Sequence, residues 1–151
     1  MKISHLIFLS LLSLLLTSCS TNNPVAAGLG LKPTAAKSEY LKTKGGGFVF
    51  KKANGGGIES CRYAVVLVPV SQFPKPLYLR TRFENPADSS HPFVVDSERP
   101  RDSSTFTLES PPVRGLQPYI SYKVEIQIYD DPERAHQIGQ HVQYVQSIVA
   151  F

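Results

Sequence analysis

Histidines and carboxylates are the side chains through which this chain of 151 residues could most readily carry out chemistry. His136 and His141 lie near Asp130, Asp131 and Glu133, and imidazole together with carboxylate groups can bind zinc. Their spacing does not match a compact set of metal ligands, so we interpret them as solvated residues of a hairpin. An enzyme or a metal-binding protein that uses His136 and His141 is the alternative.

Two motifs that mark catalytic or nucleotide-binding sites do not occur in the sequence. It contains neither the Gly-x-Ser-x-Gly turn of many hydrolases nor a phosphate-binding glycine loop. The glycines at 45–47 and 55–57 do not lie between a buried strand and a helix, so we do not expect them to hold phosphate. We therefore predict a protein that is not an enzyme, binds no metal and uses no cofactor.

Charged and aromatic side chains that could recognise another protein are more numerous. The connection from Asn85 to Ser104 carries both signs of charge, and such a loop can form a selective protein-binding surface. On the strand before it, tyrosine and arginine would point outward together, which is typical of interfaces. The candidate partner-binding residues are Tyr78, Arg80, Arg82, Asp96, Glu98, Arg99, Arg101 and Asp102. The alternative is a solvated loop beside an ordinary exposed sheet face.

Cys61 is a further candidate because a thiol can react or form a disulfide. It would share one face of a strand with Tyr63, Val65 and Leu67, so we expect a buried and unreactive thiol. A disulfide between two chains is the alternative in an oxidising compartment.

These residues must be positioned by short strands, because the dominant pattern of the sequence has a period of two. From Ile120 to Tyr129 apolar and polar residues alternate without a break, and Leu77 to Glu84 shows the same alternation. Further predicted strands are Tyr63–Val68, Phe93–Val95, Thr105–Leu108 and His141–Val149, with a bulge near Gln146, and a short edge strand at Phe48–Lys52. Twelve prolines and ten glycines leave room for at most one helical turn, at 131–135. The pattern predicts an all-β fold, a small antiparallel sandwich of two sheets.

One stretch of the predicted domain resembles the fibronectin type III pattern. Leu116, Pro118, Tyr122 and Val124 have the spacing of that family's Gly-Leu-x-Pro turn and the Tyr-x-Val strand after it. The family's early-strand tryptophan has no counterpart, since the chain has no tryptophan. The resemblance implies an immunoglobulin-like sandwich in which the leucine and the tyrosine pack together at a corner, and a role in adhesion, scaffolding or partner binding.

The N-terminus has the pattern of a secretory signal, with Lys2 before an apolar run from Leu6 to Leu16 that is too short to span a membrane as a helix. The run ends in Leu16-Thr17-Ser18-Cys19, which resembles the lipobox of bacterial lipoproteins. The resemblance implies a signal peptide at 1–18, cleavage before Cys19, a diacylglycerol on its thiol and an acyl chain such as palmitate on its amine. Ser20, in place of an aspartate, implies sorting to the outer membrane, with the protein facing the periplasm.

The formal net charge of +4 is concentrated ahead of the predicted domain. Residues 20–57 hold six lysines and one glutamate, whereas residues 58–151 hold nine basic and eleven acidic residues. A basic face on the folded part is not expected, so we do not expect nucleic acid as a partner. The composition of 19–47 is typical of a flexible tether, which leaves 48–151 for the sandwich domain.

The sequence thus predicts a lipid-anchored protein of the bacterial cell envelope that presents a β-sandwich to another envelope protein. A scaffold or a component of a secretion machine fits this description, and the small outer-membrane lipoprotein of type VI secretion has a similar plan of lipobox and sandwich. The first alternative is an inhibitor or immunity protein that blocks a periplasmic hydrolase with the connection from Asn85 to Ser104.

Overall fold

The computed structural model describes residues 37–73, 75–99 and 103–151. The predicted signal peptide, Cys19, the tether up to residue 36 and the candidate residues Arg101 and Asp102 lie outside the described residues. Seven strands are present: β1 (Leu41–Lys52), β2 (Ile58–Pro69), β3 (Leu77–Phe83), β4 (Phe93–Arg99), β5 (Phe106–Glu109), β6 (Ser121–Tyr129) and β7 (Gln137–Gln146). The predicted all-β class is confirmed, and none of the described residues forms a helix long and apolar enough to cross a membrane.

The strands form two antiparallel sheets that pack against each other as a sandwich. One sheet has the order β1-β2-β5 and the other the order β4-β3-β6-β7. β4 pairs only with β3, so it lies at the edge of the four-stranded sheet. In a constant-type immunoglobulin domain, by contrast, the fourth strand joins the sheet opposite the third strand.

Alternation along the strands explains which side chains form the core. On β6, Tyr122, Val124, Ile126 and Ile128 are buried, as the period of two predicts. Tyr63 on β2 is fully buried and takes the centre of the aromatic core that tryptophan often fills in such sandwiches. Its ring centroid lies 4.6 Å from Phe48, 5.5 Å from Phe83 and 6.4 Å from Tyr122, which are the separations of favourable aromatic pairs.

The turn before β6 is held by a hydrogen bond between its backbone and the side chain of Tyr122. The backbone N–H of Gln117 donates a hydrogen bond to the Tyr122 hydroxyl at 2.8 Å, and the side chains of Leu116 and Tyr122 both belong to the buried core. A tyrosine whose hydroxyl bonds to the backbone a few residues upstream is a hallmark of immunoglobulin-like sandwiches. Gly115 takes a φ of 80° here, a conformation in which a side chain is disfavoured.

β1 begins at Leu41, earlier than the predicted domain boundary at Phe48. The glycines assigned to the tether are part of the strand, because Gly45, Gly46 and Gly47 pair with residues 64–66 of β2. Glycines have no side chains to alternate, so the hydrophobic pattern gave no signal there. A Cβ on Gly46 would lie 3.4 Å from a methyl carbon of Val145, which indicates how closely β1 approaches β7.

Two further expectations differ from the structure. The connection from Asn85 to Ser104 is not one loop, because it contains the full strand β4, and that strand extends beyond the predicted Phe93–Val95 to Arg99. The bulge is not near Gln146, where pairing is regular, but at Ile128/Tyr129, opposite the start of β7. The alternation of apolar residues along β7 shifts in the sequence because the inward position 147 is a buried serine, whereas the apolar Ile148 is exposed. Residues 131–135 form a turn without a helix, in which the Asp131 carboxylate accepts the N–H groups of Ala135 and His136.

Candidate protein-binding face

The pairing of β3 with β4 brings five of the predicted partner-binding residues onto one surface. Tyr78 lies opposite Glu98, Arg80 opposite Asp96, and Arg82 opposite Val94. Because alternate residues of a strand share a face, these six side chains point away from the core, while Leu77, Leu79 and Phe83 point into it. We call the surface formed by Tyr78, Arg80, Arg82, Val94, Asp96 and Glu98 the β3–β4 face.

Arg80 and Asp96 form a bidentate ion pair at the centre of this face. The Arg80 Nε and Nη2 atoms donate hydrogen bonds of 2.9 Å each to the two carboxylate oxygens of Asp96. Arg134, from the turn between β6 and β7, places its Nε 3.6 Å from the same carboxylate and donates to the backbone carbonyl of Ser97. Hydrogen bonding from Arg80 lowers the pKa of Asp96 below its ordinary value, so both charges persist at neutral pH and hold each other in place.

Arg82 differs from Arg80 because its charge is not neutralised by an ion pair. It is exposed, and no carboxylate of the described residues lies within 4 Å of its guanidinium. Glu125, which lies opposite Arg82 on the adjacent strand β6, accepts a hydrogen bond from Lys123 Nζ at 2.8 Å rather than from Arg82. A cavity of about 340 Å³ lies beside it, lined by Arg82, Glu84, Ser89, Pro92, Lys123 and Glu125. Arg82 is therefore the cation of this face that is available to a partner.

β6 and β7 extend the surface with residues that the sequence analysis did not single out. Gln127 lies beside Arg80 and Tyr144 beside Lys123 in the register of the sheet, whereas Tyr129, beside Tyr78, is only 7% exposed and adds little surface. Val94 is half exposed, at 52%, on the edge strand. Tyrosine, arginine and an exposed aliphatic residue on one rigid sheet form the composition that is enriched in protein interfaces. The alternation of β6 and β7 identified outward residues, but only the strand order shows that they adjoin Arg80 and Arg82.

Arg99 was predicted to belong to the partner-binding surface, and the structure corrects this prediction. It lies opposite Leu77 on the inward side of β4 and is only 2% exposed. Its guanidinium carbon lies 5.5 Å from the ring centroid of Phe73 and 5.8 Å from that of Phe106, and its Nη2 donates to the Ser103 carbonyl. The inward direction follows from the length of β4, because residues 93, 95, 97 and 99 of one strand share a side.

The two histidines considered as metal ligands lie in different surroundings. His141 is buried, with Nε2 2.8 Å from Thr43 Oγ1 and Nδ1 3.3 Å from Ser38 Oγ, and burial lowers its pKa. His136 is exposed and contacts Asp130 through Nδ1 at 2.8 Å. Among the described residues, no three histidine, cysteine or carboxylate side chains form a group that could hold a metal ion.

A serine, a histidine and an aspartate meet in the turn between β3 and β4, but not in the arrangement of a nucleophilic triad. Asp88 Oδ2 lies 2.6 Å and Ser90 Oγ 2.9 Å from the same atom, His91 Nδ1, whereas a triad uses the two ring nitrogens separately. The Asp88 carboxylate also accepts the N–H and the hydroxyl of Ser90. These contacts lower the pKa of Asp88 and order the turn next to the cavity beside Arg82.

Cys61 is fully buried on β2, which confirms the predicted burial of this thiol. Burial raises its pKa to about 11, so the thiol is protonated at neutral pH. A protonated and inaccessible thiol is a poor nucleophile, which agrees with a packing role.

Family models, curated proteins and solved structures give no match to this chain.

Proposed function

We propose that this protein is a lipid-anchored, non-catalytic component of the bacterial cell envelope that binds another envelope protein through the β3–β4 face. The observation that supports the proposal most strongly is the pairing of two adjacent strands that bring Tyr78, Arg80 and Arg82 together with Asp96 and Glu98 on one outward surface. A scaffold or a subunit of a secretion machine fits this description.

The face has the properties that a specific partner requires. The Arg80–Asp96 pair is held by two hydrogen bonds of 2.9 Å, so little side-chain freedom is lost there on binding. Arg82 offers a charge that no carboxylate among the described residues neutralises, beside a cavity, and Val94 offers apolar surface on an edge strand. The lining of the cavity carries two cations and two carboxylates, which favours a partner with a matching arrangement of charges over one with a large uniform charge.

The first test of the proposal is a comparison of charge reversals in the full-length protein, purified from envelope membranes in mild detergent. Arg82→Glu should abolish recovery of the partner, because the new carboxylate would stand beside Glu84 and Glu125. Arg114→Glu, the same change at an exposed residue in the connection between β5 and β6, is the matched control and should recover the partner as the wild type does. Equal recovery with both variants, or no specific partner with any of them, would contradict the proposal.

The membrane anchor is proposed from the lipobox resemblance and has its own test. Two or three acyl chains on Cys19 would hold the mature protein firmly in the membrane, whereas a single chain binds only marginally. Cys19→Ser should release the protein into the soluble fraction without altering the sandwich. Unchanged membrane residence of this variant would refute lipidation at Cys19.

An inhibitor or immunity function is the second candidate, and the ordered turn between β3 and β4 is the feature that favours it. Three contacts around the Asp88 carboxylate hold residues 88–91 in one conformation, and a preordered loop can enter a cleft of a hydrolase at low entropic cost. Copurification of a periplasmic hydrolase whose activity falls on binding would support this candidate. Asp88→Asn, which weakens the contacts within the turn, should then reduce the inhibition.

A further inference from the structure

Arg99 lies beside a cavity at the end of the sandwich, on the inward side of β4, whereas the β3–β4 face is on the outward side of the same strand. The cavity has a volume of about 510 Å³, which is within the range of ~300–1,000 Å³ found for small-molecule sites. Its walls come from the segment after β2 and from the residues before β5, and its lining residues are Pro69, Val70, Ser71, Gln72, Phe73, Arg99, Ser103 and Ser104. Val70 is 43% exposed, so the cavity opens to solvent on this side.

The charge of Arg99 is buried without a counter-ion among the described residues. Its Nη2 donates to the Ser103 carbonyl at 2.8 Å, but its Nε and Nη1 are buried and have no hydrogen-bond partner in that part of the chain. No carboxylate of the described residues lies within 4 Å of it. The faces of Phe73 and Phe106 compensate only part of the lost hydration, since buried charges are normally paired and hydrogen-bonded.

We propose that this cavity binds a carboxylate group and that the guanidinium of Arg99 is its recognition element. A carboxylate oxygen would accept a hydrogen bond from Nε–H or from Nη1–H, which lie on different edges of the guanidinium and have no partner among the described residues. A carboxylate fits better than a phosphate dianion, because a single guanidinium neutralises one negative charge and would leave the second one desolvated.

The remaining walls indicate what the carboxylate is attached to. Pro69, Val70 and Phe73 provide apolar surface, and Ser71, Ser103 and Ser104 provide hydroxyl groups around the opening. The two free nitrogens are covered from water, and the half-buried ring of Phe73 lies over the guanidinium. An entering ligand therefore has to displace this ring, which also stacks on Tyr40 with a centroid distance of 5.7 Å. A carboxylate with a short apolar side chain meets these requirements.

The test uses the full-length protein in detergent micelles, labelled with nitrogen-15, and follows the Nε–H resonance of Arg99 during titration. N-acetyl-leucine is the probe, and N-acetyl-leucinamide, which lacks the charge, is its matched control. The carboxylate should shift the Arg99 resonance saturably, and the amide should bind roughly tenfold more weakly or worse, because charge-assisted hydrogen bonds are the stronger kind. Arg99→Met keeps the length of the side chain, should remain folded, and should abolish binding of the probe.

Two further arms separate the alternatives. A short peptide with a free C-terminus and a peptide amide with an internal glutamate test whether a protein partner supplies the carboxylate. If either peptide binds more tightly than N-acetyl-leucine, the carboxylate is assigned to a protein partner. Asp102, the next acidic residue after Arg99 in the sequence, is tested by Asp102→Asn, which should leave the affinity for N-acetyl-leucine unchanged. Binding that occurs only in Asp102→Asn, equal binding by Arg99→Met, or no response in the wild type would overturn the proposal. All of these variants keep Arg82 intact, so this result is independent of the β3–β4 face.

Discussion

Thr43 Oγ1 and His141 Nε2 are hydrogen-bonded at 2.8 Å in the buried seam where β1 passes β7. The two residues belong to different sheets, so this contact joins the two layers of the sandwich at the strand by which the chain enters the domain. Ser38 contacts the other ring nitrogen at 3.3 Å. Both ring nitrogens of the neutral imidazole therefore have a hydrogen-bonding partner. These contacts connect the first residues of β1, and Ser38 just before it, to β7.

The buried position of His141 predicts a stability that depends on pH. Burial lowers its pKa from the ordinary 6.5, so between the two values the unfolded chain binds more protons than the folded one. The stability that the neutral ring contributes to the fold is fully present above pH 6.5. It is lost as the pH falls from there through the pKa of His141 in the folded protein. The free energy of unfolding, measured by urea titration between about pH 7.5 and about pH 5, should fall by at most about 1.4 kcal/mol per pH unit.

A pair of substitutions tests whether His141 causes this dependence. His141→Gln should flatten the pH profile in that range, since its side chain does not titrate. His136→Gln, a change at an exposed histidine, is the control and should retain the loss of stability below pH 6.5 that the burial of His141 causes. An unchanged slope in His141→Gln would show that another group is responsible.

The corner before β6 predicts a loss of stability in Tyr122→Phe. The variant keeps the buried ring but leaves the Gln117 N–H without the hydroxyl that accepts it at 2.8 Å. The expected cost is about 1 kcal/mol, the usual contribution of one hydrogen bond. Tyr119→Phe, in the same turn but with an exposed ring, should change the urea midpoint little. Equal effects of the two variants would contradict a structural role of the Tyr122 hydroxyl.

Gly115 predicts a second, larger effect in the same turn. A Cβ at this position would lie 3.1 Å from the Cα of Ala87, and the φ of 80° is unfavourable for any side chain. Gly115→Ala should therefore destabilise the domain by about 2 kcal/mol, from backbone strain and from crowding against the turn between β3 and β4. Gly45→Ala, at a glycine with free space around it, should stay close to the wild type in thermal unfolding. A Gly115→Ala variant as stable as Gly45→Ala would contradict this packing.

Arg80 and Arg82 should respond differently to charge reversal, although both point outward from β3. Arg80→Glu removes the two hydrogen bonds to Asp96 and places a carboxylate next to another, so the urea midpoint should fall. Arg82→Glu breaks no ion pair of the described residues, although its carboxylate would stand near Glu84 and Glu125, so its urea midpoint should fall less than that of Arg80→Glu. Arg82 is therefore the better residue for binding experiments, and a larger loss of stability in Arg82→Glu than in Arg80→Glu would contradict the assignment of the ion pair.

The sequence predicts most of this fold because strands with one buried face alternate. On β6 every inward residue from Tyr122 to Ile128 is apolar, so the strand and its direction follow directly. On β4 the inward positions 97 and 99 are a serine and an arginine. The alternation of apolar and polar residues therefore stops at Val95, although the strand continues to Arg99. The same interruption explains why Arg99 was expected at the surface. In β1 the glycines remove the signal altogether.

The candidate face could be predicted only in part, because it depends on strand order. Outward residues of β3 follow from alternation, but their neighbours Asp96 and Glu98 follow only once β4 is known to pair with β3 along its whole length. The second arginine near Asp96 comes from a turn between β6 and β7, more than thirty residues later in the chain. Contacts between such distant segments are fixed by tertiary packing, which no local pattern encodes.

Photo-crosslinking in living cells at two matched valines tests the central claim most directly. Val94 on the β3–β4 face is 52% exposed, and Val49 on the outward side of the other sheet is 50% exposed, so a photoreactive amino acid at either site is equally accessible. A partner on the β3–β4 face should give a discrete crosslinked product from position 94 that disappears in Arg82→Glu, and none from position 49. A product from position 49 alone, or equal products from both positions, would contradict binding through this face.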